Sequence, residues 1–202
     1  MSKQNIVIIK YNAGNIRSVN NALLRLEQNA EITSDPDKIR KADKVIFPGV
    51  GEAASTMRYL EQSGLSGLIQ SLRQPVLGIC LGMQLMGSYS EEGEVSCLNI
   101  FDEPVRKFRL PEPNPDNIKI PQMGWNRIFD LKGELFDSSM EGGYLYFVHS
   151  YYLSMGKHTV ATTNYINNYS SAMQRDNFFA TQFHPEKSGP LGQRIIERFL
   201  KL

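Results

Sequence analysis

Cysteine, histidine and tryptophan are scarce in this chain of 202 residues, which has two, three and one of them respectively. Cys80 and Cys97 are too few and too oddly placed for a secreted disulfide framework. His149, His158 and His184 pair with no CxxC or HExxH pattern, so no metal site and no bound cofactor is expected. An excess of charge is missing too: 22 Lys and Arg stand against 21 Asp and Glu, leaving a formal net charge of +1. No global field would draw the molecule to nucleic acid or to an anionic membrane, so recognition must be local. Long apolar runs are absent. The opening stretch Ile6 to Ile9 is closed by Lys10, shorter than the apolar region of an export signal, and nothing approaches the ~20 residues of a membrane span. A cytoplasmic setting is the expectation.

What is present suffices for a core: 41% of residues are hydrophobic and 21% charged, a globular balance over a length that suits one domain, residues 1–202. Asn5-Ile6-Val7-Ile8-Ile9 is a continuous β-branched run, the pattern of a strand covered on both faces and hence of a parallel sheet. After the turn-rich Tyr11 to Asn15, Ser18 is placed to cap a helix through Val19, Leu23 and Leu26. Strands are then expected at Ala30 to Thr33, Lys44 to Phe47 and Val76 to Ile79, with helical spacing between, and a helix over Leu81 to Tyr89. Pro111, Pro113, Pro115 and Pro121 mark an irregular stretch that suggests an antiparallel extension. Strand candidates at Tyr144 to Tyr152, Val160 to Thr163 and Phe178 to Phe183, then an amphipathic helix from Leu191 to Leu200, complete the chain. The alternation predicts an α/β fold: a doubly wound, mostly parallel open sheet flanked by helices, with the antiparallel extension.

Gly78-Ile79-Cys80-Leu81-Gly82 has the form of a G-x-S-x-G nucleophile elbow with sulfur in place of oxygen, set between a buried strand and a helix where such a turn must lie. A thiolate needs a base, and His184 follows a strand candidate, with Glu186 two positions on and Pro185 stiffening the link. Residues i and i+2 of extended chain face one way, so Glu186 is placed to fix the ring. His149 is the competing base, but its apolar strand suggests a core or substrate-lining role; His158, in a turn, reads as solvated surface. Pro48-Gly49-Val50-Gly51 lets backbone N–H groups at Val50 and Gly51 approach a ligand, and the amide of Leu81 supplies a second donor for an oxyanion.

These residues together resemble the class I, triad-type glutamine amidotransferases. Gly78 to Gln84 matches the Gly-x-Cys-x-Gly-x-Gln elbow and His184-Pro185-Glu186 the later motif. Tyr11 to Val19, Phe47 to Gly51, Met123-Gly124-Trp125-Asn126, Tyr146 to Tyr152 and Thr181 to Ser188 resemble, in order, the motifs of the glutaminase subunits of imidazole glycerol phosphate synthase, across essentially the whole chain. Lys10, Asn12 and Glu52 depart from the usual residues. The resemblance implies a Cys80-His184-Glu186 triad and a glutamine held by Gln84, Ser150 and Tyr151. It also implies a docking face carrying Asn15, Gln122, Met123 and Trp125, and a separate (β/α)8-barrel cyclase subunit that takes the ammonia in histidine biosynthesis. Three other readings stay open on the sequence: a cysteine hydrolase acting on peptides, a regulatory module with a relic triad, and a paralogue supplying a surface-sugar synthase.

The elbow predicts a sharp inequality between the two thiols. Iodoacetamide followed by peptide mapping should modify Cys80 well before Cys97; the reverse order would remove Cys80 as the nucleophile.

Overall fold

The run Ile6–Ile9 is buried along its whole length, and its side chains alternate between two cores. Val7 and Ile9 join one, Ile6 and Ile8 the other, as a strand covered on both faces requires. In the computed structural model, which describes residues 4–11, 15–115 and 117–202, this run is β1. Beside it lie β2 (Ala30–Thr33), β3 (Lys44–Gly49), β4 (Val76–Cys80) and β13 (Phe178–Thr181), all parallel, in the order β2-β1-β3-β4-β13. The sheet continues through β12 (Asn168–Arg175), β10 (Tyr151–Leu153), β7 (Val105–Lys107), β5 (Tyr89–Ser90) and β6 (Val95–Ser96), with β11 (Thr159–Asn164) paired to β12. Most of these pairings are antiparallel, so the expected extension is present. It draws on the chain after residue 150 more than on the proline-rich stretch.

Helices cover both faces. On one side α1 (Ile16–Arg25) and α6 (Gly189–Leu200) bury Val19, Leu23, Ile195 and Phe199. On the other lie α2 (Pro36–Arg40), α3 (Ala53–Gln62), α4 (Leu65–Ser71) and α5 (Leu81–Leu85), contributing Ile39, Leu60, Ile69 and Met83. Helix α2 is capped from its own sequence: Asp35 accepts from the Asp37 N–H, with Pro36 at the first helical position. Among the described residues no helix is long and apolar enough to cross a membrane.

Several boundaries differ from the sequence expectation. Helix α1 begins at Ile16, and its N-cap is Asn15 in the left-handed region (φ 74°), whose carbonyl takes the N–H of Ser18 and Val19; Ser18 therefore sits inside the helix. Of the turn before it, Asn12, Ala13 and Gly14 lie outside the described residues. Helix α5 stops at Leu85 instead of Tyr89, because backbone N–H groups of Leu98, Ile100 and Phe101 take the carbonyls of Leu85 and Met86. Tyr144 to Tyr152 is two strands. Residues Tyr144–His149 form β9, which pairs with β8 (Gln122–Arg127) in a separate two-stranded ribbon, and the chain crosses at Ser150 into β10 of the main sheet. The ribbon's inner face buries Gln122, Leu145, Phe147 and His149, while Met123, Trp125 and Tyr144 stand out on the other.

Two features of this packing can be tested. A Cβ added at Gly82 would lie 1.9 Å from the Phe47 carbonyl oxygen, backbone that cannot swing away. Gly82→Ala should therefore lose roughly 1–3 kcal/mol or more of unfolding free energy in urea, and a wild-type value would contradict the packing. Burial pushes the His149 imidazole down to about 4, against the opposing effect of its bond to the Tyr151 carbonyl. Above pH 6.5 the ring is neutral folded or unfolded; below it the unfolded chain takes a proton that the folded one refuses until about pH 4. Unfolding free energy should thus fall with pH through this window, by up to about 1.4 kcal/mol per unit from this group. His149→Gln should fall less steeply, and identical slopes would show that His149 is not the titrating group.

Candidate active site

Strand β4 delivers Cys80 and turns at once into α5, and the turn forces Cys80 to φ 55°, ψ −109°, a backbone region that costs a non-glycine residue on the order of 1–3 kcal/mol. Gly78 and Gly82 make it possible. Gly82 lies against Phe47 of β3, and a Cβ at Gly78 would meet Met86 Sδ at 2.9 Å and the Gly82 backbone at 3.1 Å. Strand β3 holds the other side by pairing Gly49 with Cys80. A Cβ at Gly49 would fall 2.6 Å from the Tyr11 hydroxyl, which donates to the Pro48 carbonyl at 2.5 Å. Burial, with the Cys80 sulfur nearby, pushes that phenol far above its usual range, so it serves as a fixed donor. Beyond it Val50 is partly exposed and Gly51 has φ 115°, a conformation natural only to glycine.

A cavity of about 310 Å³ opens over the sulfur, enough for a small amino acid, lined by Val50, Gly51, Cys80, Leu81 and Gln84 on one side and by Val148, His149, Ser150, Tyr151 and His184 on the other. The crossing of the chain from β9 to β10 lays residues 148–151 over the elbow. Glu92 also lines the cavity; its carboxylate accepts from the Ala53 N–H, and burial nevertheless holds it above the usual carboxylate range.

His184 follows β13 and is buried, with Nδ1 2.8 Å from Glu186 Oε1 across a short 3-10 turn, Pro185–Lys187. The same carboxylate oxygen accepts from Asn15 Nδ2, which lies 3.2 Å from His184 Nδ1. A carboxylate only accepts, so Nδ1 carries its hydrogen toward Glu186 and Nε2 is left to face the cavity. Among the described residues Nε2 has no hydrogen-bond partner. Burial opposes charge on this ring, but the Cys80 sulfur nearby and then the Glu186 carboxylate overcome it, and the imidazole is held above its ordinary range. The main chain fixes the ring as well. His184 N–H donates to the Tyr146 carbonyl (2.9 Å), Tyr146 N–H to Ser188 Oγ (2.9 Å), and that hydroxyl to the His184 carbonyl (2.6 Å).

The structure thus brings together Cys80, His184, Glu186, Val50, Gly51, Leu81, Gln84, Ser150 and Tyr151. Of the four residues assigned to a docking face, Met123 and Trp125 are 66% and 56% exposed, but two are placed otherwise. Gln122 is buried and accepts from the Tyr169 hydroxyl at 2.8 Å, because the first residue of β8 points inward opposite His149. Asn15 is turned onto Glu186. His149 is a wall of the cavity with Nδ1 bonded to the Tyr151 carbonyl (2.7 Å) and Nε2 3.3 Å from the Tyr169 hydroxyl, so it cannot reach the sulfur as base. His158 is no solvated residue: its ring packs on Phe101 and its Nε2 is buried. The second thiol, Cys97, is half-buried and burial pushes it up to about 12, leaving it inert near neutrality. Sequence reasoning missed Tyr11, Glu92 and Gln182. Each acts through a contact more than 30 positions away, and only Gln182, a polar residue inside an apolar strand run, carried a visible signal.

Comparison with known proteins agrees with this geometry. Residues 5–202 match the family model described as glutamine amidotransferase class-I. Over 197 residues the chain is 56% identical to the imidazole glycerol phosphate synthase subunit HisH of Bacteroides fragilis, covering 98% of this chain and 99% of the relative. The HisH subunits of Haemophilus influenzae (46% identity, 98% and 97% covered) and Escherichia coli (42%, 98% and 100%) are likewise similar end to end. Among solved structures, PurLQS from Thermotoga maritima superposes with a TM-score of 0.71 at 15% identity, with 98% of each chain covered. A glutamine amidotransferase from the same organism gives 0.66 at 15% identity, covering 100% of this chain and 84% of that one. At such identities these two speak to the fold alone. Sequence, fold and elbow agree, and the chain belongs to the class-I glutamine amidotransferases, in the branch of the HisH subunits of imidazole glycerol phosphate synthase.

Proposed function

We propose that the chain hydrolyses L-glutamine to glutamate and ammonia as the glutaminase subunit of an imidazole glycerol phosphate synthase in the cytoplasm, handing the ammonia to a (β/α)8-barrel cyclase subunit. The observation that carries the reading is the strained Cys80 elbow at the floor of the same cavity into which the Glu186-oriented His184 faces, in a chain 42–56% identical to HisH subunits. Cys80 Sγ attacks the carboxamide carbon, and the N–H groups of Gly51 and Leu81 receive the developing oxyanion. His184 gives its Nε2 proton to the leaving nitrogen, and ammonia departs from a γ-glutamyl thioester. The ring, now neutral, takes a proton from water, which attacks the thioester; the sulfur leaves as thiolate and glutamate is released. Glu186, doubly bonded by His184 and Asn15, holds the tautomer throughout.

Gln84, Ser150 and Tyr151, which line the cavity, hold the amino-acid head of glutamine, and the half-buried Glu92 carboxylate adds an acceptor for its ammonium. The docking face is the outer side of the β8–β9 ribbon. There Met123, Trp125 and Tyr144 expose apolar area with Tyr146 packed edge-on against Trp125, the composition of an interface centre. The cyclase consumes the ammonia in making imidazole glycerol phosphate and an aminoimidazole carboxamide ribonucleotide.

Glutamate release measured with the cyclase bound tests these roles. Cys80→Ala should abolish it while Cys97→Ser leaves it intact. His184→Ala should lose on the order of 10²-fold or more, and Glu186→Gln less, because the ring loses orientation and keeps its basic nitrogen. Activity surviving in Cys80→Ala, or full activity in His184→Ala, would overturn the assignment.

A further inference from the structure

Gln182 is wholly buried immediately before Phe183-His184, and its Nε2 stands 3.7 Å from Cys80 Sγ. Its amide is not free to turn. Gln84 Nε2 donates to the Tyr151 carbonyl at 2.8 Å and to Gln182 Oε1 at 2.9 Å. A backbone carbonyl can only accept, so Gln84 presents both hydrogens of its NH2 to these two oxygens, and Gln182, committed through Oε1, directs its own NH2 at the sulfur. The backbone fixes the base of the side chain: Gln182 N–H donates to the Ser171 carbonyl at 2.9 Å, continuing the β12 pairing one residue past β13.

We propose that Gln182 is the hydrogen-bond donor that holds Cys80 as a thiolate aimed into the cavity, a positioning residue for the hydrolysis described above; it rests on the reading of Cys80 as nucleophile. The two polar neighbours of the sulfur serve its two states. The Val148 carbonyl, 3.8 Å away, can accept only from a protonated thiol, whereas an amide N–H gains little from a neutral sulfur and much from a charged one. On the side of the sulfur where the wholly buried Gln182 lies, that difference is enlarged, since water cannot reach in to replace the donor. The relay also links the nucleophile to Tyr151, so Gln84 and Tyr151, which line the cavity, orient the amide that meets the sulfur.

The discriminating measurement is the rate of Cys80 alkylation by iodoacetamide from about pH 5 to pH 10, in the full chain carrying Cys97→Ser, with thermal unfolding of each variant alongside. Gln182→Met keeps length and loses both polar atoms; Gln182→Glu keeps an oxygen for Gln84 and replaces the donor with an acceptor. The pH of half-maximal alkylation should rise by about one unit or more in the first and further in the second. A merely structural bridge between β13 and α5 would lower the unfolding temperature without moving that midpoint. An unmoved midpoint in either folded variant overturns the proposal. If Cys80 were not the nucleophile, glutamine hydrolysis would survive Cys80→Ala whatever the alkylation profile, so the two failures are distinguishable.

Discussion

A single close approach governs the architecture: the Gly82 backbone against the Phe47 carbonyl, with space for a hydrogen and nothing more. It draws the start of α5 onto the end of β3, and so obliges the chain between them to reverse within one residue, Cys80. The strained backbone at that residue persists because both flanks are fixed, by the β3–β4 ladder before it and by α5 after it. The same approach brings Val50 and Gly51 to one cavity with Cys80 and Leu81, so the proposed nucleophile and oxyanion donors share one piece of geometry. Helix α5 is too short to supply a strong dipole. In place of a helix dipole the sulfur has the Gln182 amide at 3.7 Å, and its attraction for the His184 ring holds that imidazole above its ordinary range.

The second half of the site comes from a different element. His184 is suspended from β9 through the Tyr146 carbonyl and, by way of Ser188, the Tyr146 N–H. Tyr146 meets Trp125 edge to face at 6.1 Å. The ribbon that exposes Met123 and Trp125 is thus the element that sets the position of the ring. In the proposed function that exposed face meets the cyclase, so docking acts on the element that carries His184.

Much of this was legible in the residues. The continuous apolar strands, the small residues flanking Cys80 and the two-residue spacing of His184 and Glu186 are local signals, and local sterics or periodicity decide them. What the sequence hid was set by long-range competition. Helix α5 ends early because carbonyls at its end are claimed by residues 98–101, and Tyr144 to Tyr152 breaks because two sheets compete for one apolar run. Strands β8 and β12 escaped notice for a related reason. Gly124 and Asn126 in one, and Ser170, Ser171 and Gln174 in the other, dilute the β signal, and pairing with neighbours restores it. The inward turn of Gln122 and the bond from Asn15 to Glu186 depend on strand register and on a left-handed cap, neither of which has a sequence signature of its own.

The central claim is that glutamine is opened by covalent attack of Cys80 with His184 as proton carrier. Acid quench of the cyclase-bound chain during turnover, followed by peptide mass spectrometry, tests it most directly. A γ-glutamyl adduct should appear on the peptide containing Cys80, labile to hydroxylamine as a thioester must be, and absent when glutamate replaces glutamine. Turnover with no adduct on that peptide, or with the adduct on another residue, would contradict the account.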